Sequence, residues 1–187
     1  MSQQELLKKV VLTLDQNDID YMLTGSLVSS MQGEPRLTHD IDIIINLKKT
    51  DINKILFSFP LEKYYISEKA ILESLDKKTS FNVIDLEVGD KIDFWILTES
   101  TFDISRFSRR RKTKFLNFFI YVSTPEDTIL EKLLWSKISG GSEKHFKDVL
   151  RVYEVQKEKL DFDYLKRWTE KLEISNLWNR LLDSAEY

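Results

Sequence analysis

The sequence predicts an α/β (more narrowly α+β) fold: a mixed central sheet flanked by helices, followed by a C-terminal helical part. Three observations carry this expectation. The first two thirds alternate stretches of helical period with short β-rich runs. Two of those runs, 81–88 and 91–97, are separated only by Gly89-Asp90, a hairpin turn pair. Everything after Ser123-Thr124-Pro125-Glu126 repeats with helical period. The expected organisation is an α/β core over residues 1–123 and a helical part over 124–187. The second piece is too short to be expected to fold by itself, so it is expected to pack on the first.

Taken in order, Leu6, Leu7, Val10, Val11 and Leu14 give residues 3–16 one apolar helical face. Residues 20–24 form a short apolar run into Gly25, a strand entering a turn. SLVSSMQ then reads as a short helix with Thr24 or Ser26 as its cap, broken at Gly33-Glu34-Pro35. Ile41, Ile43, Ile44 and Ile45 suit a strand buried on both faces. After a turn at Lys48–Asp51, Ile52, Ile55 and Leu56 begin another helix. Signals over 62–80 are weaker and suggest a strand near Tyr64–Ile66 and a helix near Lys69–Leu75. The hairpin strands follow, then a polar and basic segment, 103–114, read as a loop or irregular helix, and a strand over 116–122. In the helical part Thr124 caps, Pro125 takes the first position and Glu126 and Asp127 fill the first turn. Breaks fall at Ser139-Gly140-Gly141 and near Asp161.

Composition narrows the function classes. The chain has no cysteine, which excludes disulfides and thiolate catalysis and removes the ligands that structural zinc usually takes. The N-terminus mixes Glu and Lys into its apolar residues and is expected to be a helix, not a signal peptide. No run approaches the ~18 apolar residues of a membrane span, so no membrane partner is expected and a cytoplasmic location is. A net charge of -3 does not announce a nucleic-acid binder. Such an activity would need a local patch, and one exists: Arg106, Arg109, Arg110, Arg111, Lys112 and Lys114 place six cations in nine residues. Such a segment suits a triphosphate or an RNA backbone, or is simply a solvated loop.

The strongest constellation lies between residues 23 and 42: Leu-Thr-Gly25-Ser26, then Arg36-Leu-Thr38-His39-Asp40-Ile41-Asp42. Glycine after a strand lets backbone amides approach a phosphate, a serine hydroxyl adds a donor, and the following helix aims its N-terminal amides at the anion. Asp40 and Asp42 alternate with isoleucines and project from one face of a strand. Two carboxylates there are costly without a cation, and hard oxygen ligands favour Mg²⁺ or Mn²⁺. Asp93 is the single acid in the apolar strand Lys91-Ile-Asp93-Phe-Trp-Ile and is the preferred third ligand. Asp85, on the preceding strand, is the rival. Arg36 is placed to contact a phosphate. His39 is expected to shape its loop and not to ligate.

Gly-Ser, a helix, Asp-x-Asp on the next strand and a later lone Asp together resemble the nucleotidyltransferase fold typified by DNA polymerase beta. TGSLVSS…GEPRLTHDIDIII is similar to the small prokaryotic branch that includes AbiEii-type toxins of toxin–antitoxin systems, over about Tyr21 to Val152. The resemblance implies metal-dependent transfer of a nucleoside monophosphate from an NTP to an acceptor hydroxyl, with RNA or tRNA the favoured acceptor and a cognate antitoxin a potential partner. It implies Asp40, Asp42 and Asp93 as metal ligands, with Asp93 helping to deprotonate the acceptor. The same branch carries a lysine and a later aspartate in its helical part. Here the candidates are Lys132 or Lys137, to pair with the triphosphate, and Asp148, to orient that lysine or touch the base. Two departures stand out: Gly25-Ser26 where that branch often has two glycines, and Lys144-His145 where it often has Arg-Asp. A non-catalytic nucleotide- or partner-binding protein of the same fold is the alternative. Gly140-Gly141 is expected to be a plain helix–helix turn and His145 a structural residue.

Overall fold

The computed structural model describes residues 2–36, 38 and 40–185. The chain runs α1 (Gln3–Gln16), β1 (Tyr21–Thr24), α2 (Gly25–Gln32), β2 (Asp40–Ile45), α3 (Ile52–Ser58), β3 (Tyr64–Tyr65), α4 (Glu68–Lys77), β4 (Ser80–Asp85), β5 (Lys91–Ile96), α5 (Thr101–Ser108), β6 (Arg111–Phe115) and β7 (Phe118–Val122). It ends with α6 (Pro125–Ile138), α7 (Glu143–Gln156), α8 (Phe162–Lys171) and α9 (Ser175–Ala185). The strands make one seven-stranded mixed sheet in the order β3-β4-β5-β2-β1-β7-β6. The pairs β2–β5 and β1–β7 are parallel and the other four antiparallel.

Period-2 alternation decides which face each strand shows. Ile41, Ile43 and Ile45 of β2 and Ile92, Phe94 and Ile96 of β5 join one core with Leu6, Val10 and Leu14 of α1, Ile55 of α3 and Ile71 of α4. Asp40, Asp42, Lys91, Asp93 and Trp95 alternate with them and face the other side. At the far end of that second face Met22, Ile44 and Phe107 make a small cluster under α5. Helices α6–α9 close a separate core around Leu130, Leu133, Val149, Leu165 and Trp168. Helix α2 joins the halves: a Cβ on Gly33 at its C-cap would lie 2.9 Å from the α7 backbone at Arg151, so only glycine allows that approach.

Three segments differ from the sequence reading. Residues 103–114 hold a regular helix and a strand, not a loop. Helix α5 starts where the Ser100 hydroxyl accepts from the Asp103 amide, the serine-x-x-acid pattern of an N-terminus. Strand β6 is the edge strand. Its Arg111, Lys112 and Lys114 are exposed, as charged residues on a sheet edge often are, and this hides the β pattern. The strand expected over 116–122 therefore begins at Phe118, after a turn in which Leu116 takes φ 52°. Strand β4 stops at Asp85 because that carboxylate accepts from the amides of Glu87 and Val88 and fixes the turn before Gly89.

Candidate active site

Strand β1 passes into α2 at Gly25, whose φ of +69° an L-side chain rarely adopts. The Thr24 hydroxyl points away from the helix and donates to the buried Glu131 carboxylate, so it does not cap the first turn of α2. The Thr24 side chain thus leaves the first turn of α2 uncapped, at the positive end of the helix dipole, an arrangement suited to an anion.

Register places the three aspartates. Thr24 pairs with Asp42 across β1–β2, and Asp42 pairs with Asp93 across the parallel β2–β5 ladder. Directly paired residues share a face, and Asp40 lies two positions before Asp42, so all three acids belong to the side of the sheet opposite the main core. Asp85 does not. On β4 it is Asn82 that pairs with Asp93, and Asp85, three positions on, faces the core side.

The Asp42 carboxylate is bracketed. Its Oδ1 accepts from Trp95 Nε1 at 3.1 Å, while a Cβ on Gly25 would fall 2.2 Å from its Oδ2. Burial holds the Asp42 carboxyl above the ordinary range; the Trp95 bond opposes this, and the charges of Glu131, Asp93 and Asp40 add to it. Asp93 Oδ2 lies 2.8 Å from Lys91 Nζ, and that bond raises the lysine. As placed, no three acidic or histidine side chains among the described residues are gathered closely enough to ligate one ion. Asp42 is turned to Trp95 and Asp93 to Lys91. The donor set itself suits Mg²⁺ or Mn²⁺: carboxylate oxygens only, on neighbouring strands, with unbalanced negative charge around Asp42.

Above the glycine turn sits a cationic cluster. Asp148 of α7 accepts from Arg36 Nε at 2.9 Å and Nη2 at 2.8 Å and from Lys132 Nζ at 2.9 Å. Arg36 Nη2 also donates to Ser26 Oγ at 3.0 Å. The chain thus ties the Ser26 hydroxyl, Arg36, Lys132 and Asp148 into one network. Burial disfavours the Asp148 charge, but its bonds to Arg36 and Lys132 outweigh this and hold it below the ordinary carboxylate range. His145, on the first turn of α7, is lowered by burial and by Lys132. Its Nδ1 is buried without a hydrogen-bond partner. Gly140 and Gly141 take φ 72° and 94° in the turn leading into α7 and touch nothing that a Cβ would meet.

Lys137 stands apart from this network: its Nζ donates to the carbonyls of Leu172 and Glu173, where it caps the end of α8. The basic segment is also divided. Arg106 is buried between Glu131, at 2.6 Å, and Asp103, at 2.7 Å. Arg109 pairs with Glu126 and Asp127, and Arg110 with Asp20 at 2.6 Å. Only Arg111, Lys112 and Lys114 project from the sheet edge. His39 lies outside the described residues.

A cavity of about 440 Å³ opens beside Asp42, bounded by Gly25, Ser26, Trp95, Glu131, Lys132, Trp135 and His145 among others. Glu131, Trp95 and Trp135 were not singled out from the sequence. A legible signal existed for the first: Glu131-Lys132 is an adjacent pair of opposite charges inside the apolar run ILEKLLW, and both prove buried.

No protein-family model matches the sequence, and no curated protein matches it significantly. Solved structures do match. An antigenic nucleotidyltransferase-like protein from Paracoccidioides brasiliensis superimposes with TM-score 0.55 at 18% identity, over 80% of this chain and 74% of that one. The lincosamide antibiotic adenylyltransferase LnuA, solved with lincomycin bound, gives 0.55 at 13% identity, over 83% and 98%. The solution structure of antibiotic-resistance factor ANT(2'')-Ia gives 0.52 at 10% identity, over 97% and 94%. At these identities the likeness shows the fold: this chain has the mixed-sheet architecture of nucleotidyltransferases.

Proposed function

We propose that the chain is a divalent-metal-dependent nucleotidyltransferase that moves a nucleoside monophosphate from an NTP to an acceptor hydroxyl. The observation that carries this reading is the strand register that sets Asp40, Asp42 and Asp93 on one face, next to the Gly25 turn. The α2 N-terminus and the Ser26 hydroxyl receive the triphosphate, with Lys132 and Arg36 balancing its charge. Asp40, Asp42 and Asp93 would hold Mg²⁺ or Mn²⁺, which when bound would neutralise charge developing on the phosphoryl oxygens. The acceptor oxygen forms a bond to the α-phosphorus while the bond from that phosphorus to the bridging oxygen breaks, and pyrophosphate leaves. The acceptor proton passes to the Asp93 carboxylate, whose orientation Lys91 holds.

RNA or tRNA is the favoured acceptor. Arg111, Lys112 and Lys114 on the β6 edge, with the exposed Phe119 on β7 opposite Lys114, offer phosphate contacts and a stacking ring. A toxin role held in check by an antitoxin, as the sequence resemblance implies, belongs to the same reading. One observation favours a second reading, a nucleotide-binding protein without transfer: the Asp93 carboxylate is engaged with Lys91 and that of Asp42 with Trp95, so the two are not turned toward one shared ion. Incubation with each labelled NTP, Mg²⁺ and total RNA decides between them. Transfer is expected to be Mg²⁺-dependent and lost in Asp42→Asn. NTP binding without transfer to RNA or to any small hydroxylated acceptor selects the second reading, and transfer that survives Asp42→Asn removes the assigned mechanism.

A further inference from the structure

We infer that Trp95 and Trp135 form a stacking platform for the nucleobase of the bound nucleotide, an inference that rests on the nucleotide-binding reading above. Two of the four tryptophans, Trp168 and Trp178, sit in the helical core at 8% exposure each. Trp95 and Trp135 instead remain 36% and 41% exposed and both line the cavity beside Asp42. Large aromatic rings left open in a concave site, and not packed away, are a feature of ligand pockets.

The geometry fixes where the ring would lie. Trp95 Nε1 is bonded to one oxygen of Asp42 and Gly25 abuts the other, so the indole and the glycine turn flank a single carboxylate. A nucleotide with its phosphates at Gly25 and Ser26 therefore carries its base toward Trp95. The indole is held on its edge by Asp42 and by an edge-to-face contact with Trp135, centroids 6.0 Å apart, which orients it before any ligand arrives. Ile44 and Leu97 supply apolar floor beneath. Near the rings, Thr98 donates to Asp103 and Glu131 pairs with Arg106, so these groups face one another and the exposed indole faces are the surface left to a base.

The test uses the intact chain and tryptophan fluorescence, with affinities measured in parallel by equilibrium dialysis. ATP is expected to bind and quench; adenosine is expected to quench at higher concentration; inorganic tripolyphosphate is expected to bind without quenching. Trp135→Ala, which leaves the Asp42 bond intact, is expected to weaken ATP at least ~10-fold. The same variant should leave tripolyphosphate unchanged, and Trp135→Phe should restore most of the loss. ATP and tripolyphosphate binding equally, with Trp135→Ala altering neither, overturns the platform while leaving the nucleotide site standing. Binding of neither ligand overturns both.

Discussion

Gly25 and Asp42 are in such close contact that any side chain at position 25 would overlap the carboxylate, at 2.2 Å from Oδ2. The left-handed φ of +69° adds backbone strain of ~1–3 kcal/mol for a non-glycine residue. Gly25→Ala is therefore expected to lower the melting temperature and abolish NTP binding. Gly89→Ala is the control, because φ there is +78° and nothing lies within 4 Å. It should show the strain alone, with binding intact. Thermal unfolding and NTP affinity on both variants check this.

Asp42 is buried among other acids, and an acid whose folded-state carboxyl is held above its usual range costs stability at neutral pH. Asp42→Asn is expected to raise stability in the absence of divalent ions while eliminating transfer. For a chain of this length each ~1 kcal/mol corresponds to roughly 2–4 °C. A melting temperature that falls instead would show that the Trp95 bond outweighs the crowding of charge.

Asp148 behaves in the opposite sense. Its lowered carboxyl contributes stability that is complete above the ordinary aspartate range, about pH 4, and is lost as pH falls through its depressed folded value. The groups facing it are Arg36, Lys132 and His145. Asp148→Asn should cost ~3–5 kcal/mol at pH 7, the penalty of stranding a buried cation, and should flatten the acid limb of the stability profile. Denaturant unfolding between neutral pH and pH 3 measures both.

The division of the basic segment separates binding from folding. Removing Lys112 and Lys114 together should leave stability unchanged and reduce the log–log salt dependence of single-stranded RNA binding by about 1.4. Arg109→Ala should do the reverse. It loses the pairs to Glu126 and Asp127 and the stacking over Tyr164 at 3.8 Å, lowering stability without changing that slope.

Much of this was legible because local rules and tertiary placement agree. The Gly25 turn, the alternating acids of β2 and the Gly89 hairpin each carry their pattern within a few residues. The preference for Asp93 over Asp85 rested on alternation alone, and register settles their faces: Asn82, not Asp85, stands beside Asp93. What stayed hidden depends on contacts distant in sequence. Arg106 reads as one more surface cation until α6 folds over it with Glu131. Lys132 and Lys137 look equivalent along the helix, yet only Lys132 meets Asp148, because the partner comes from the next helix. Trp95 looks like an ordinary strand aromatic, and its bond to Asp42 depends on the register that lays β5 beside β2.

Helix α6 supplies Glu131, Lys132 and Trp135 to one side and Ile129, Leu130 and Leu133 to the helical core on the other. It is also riveted to the sheet half through Thr24–Glu131–Arg106 and Arg109–Asp127, all at buried or half-buried positions. A clamshell motion that swings the halves apart would have to strand several of those charges away from water. The cleft beside Asp42 is therefore walled on one side by a helix whose charged side chains tie it to the sheet as well as to the helical core.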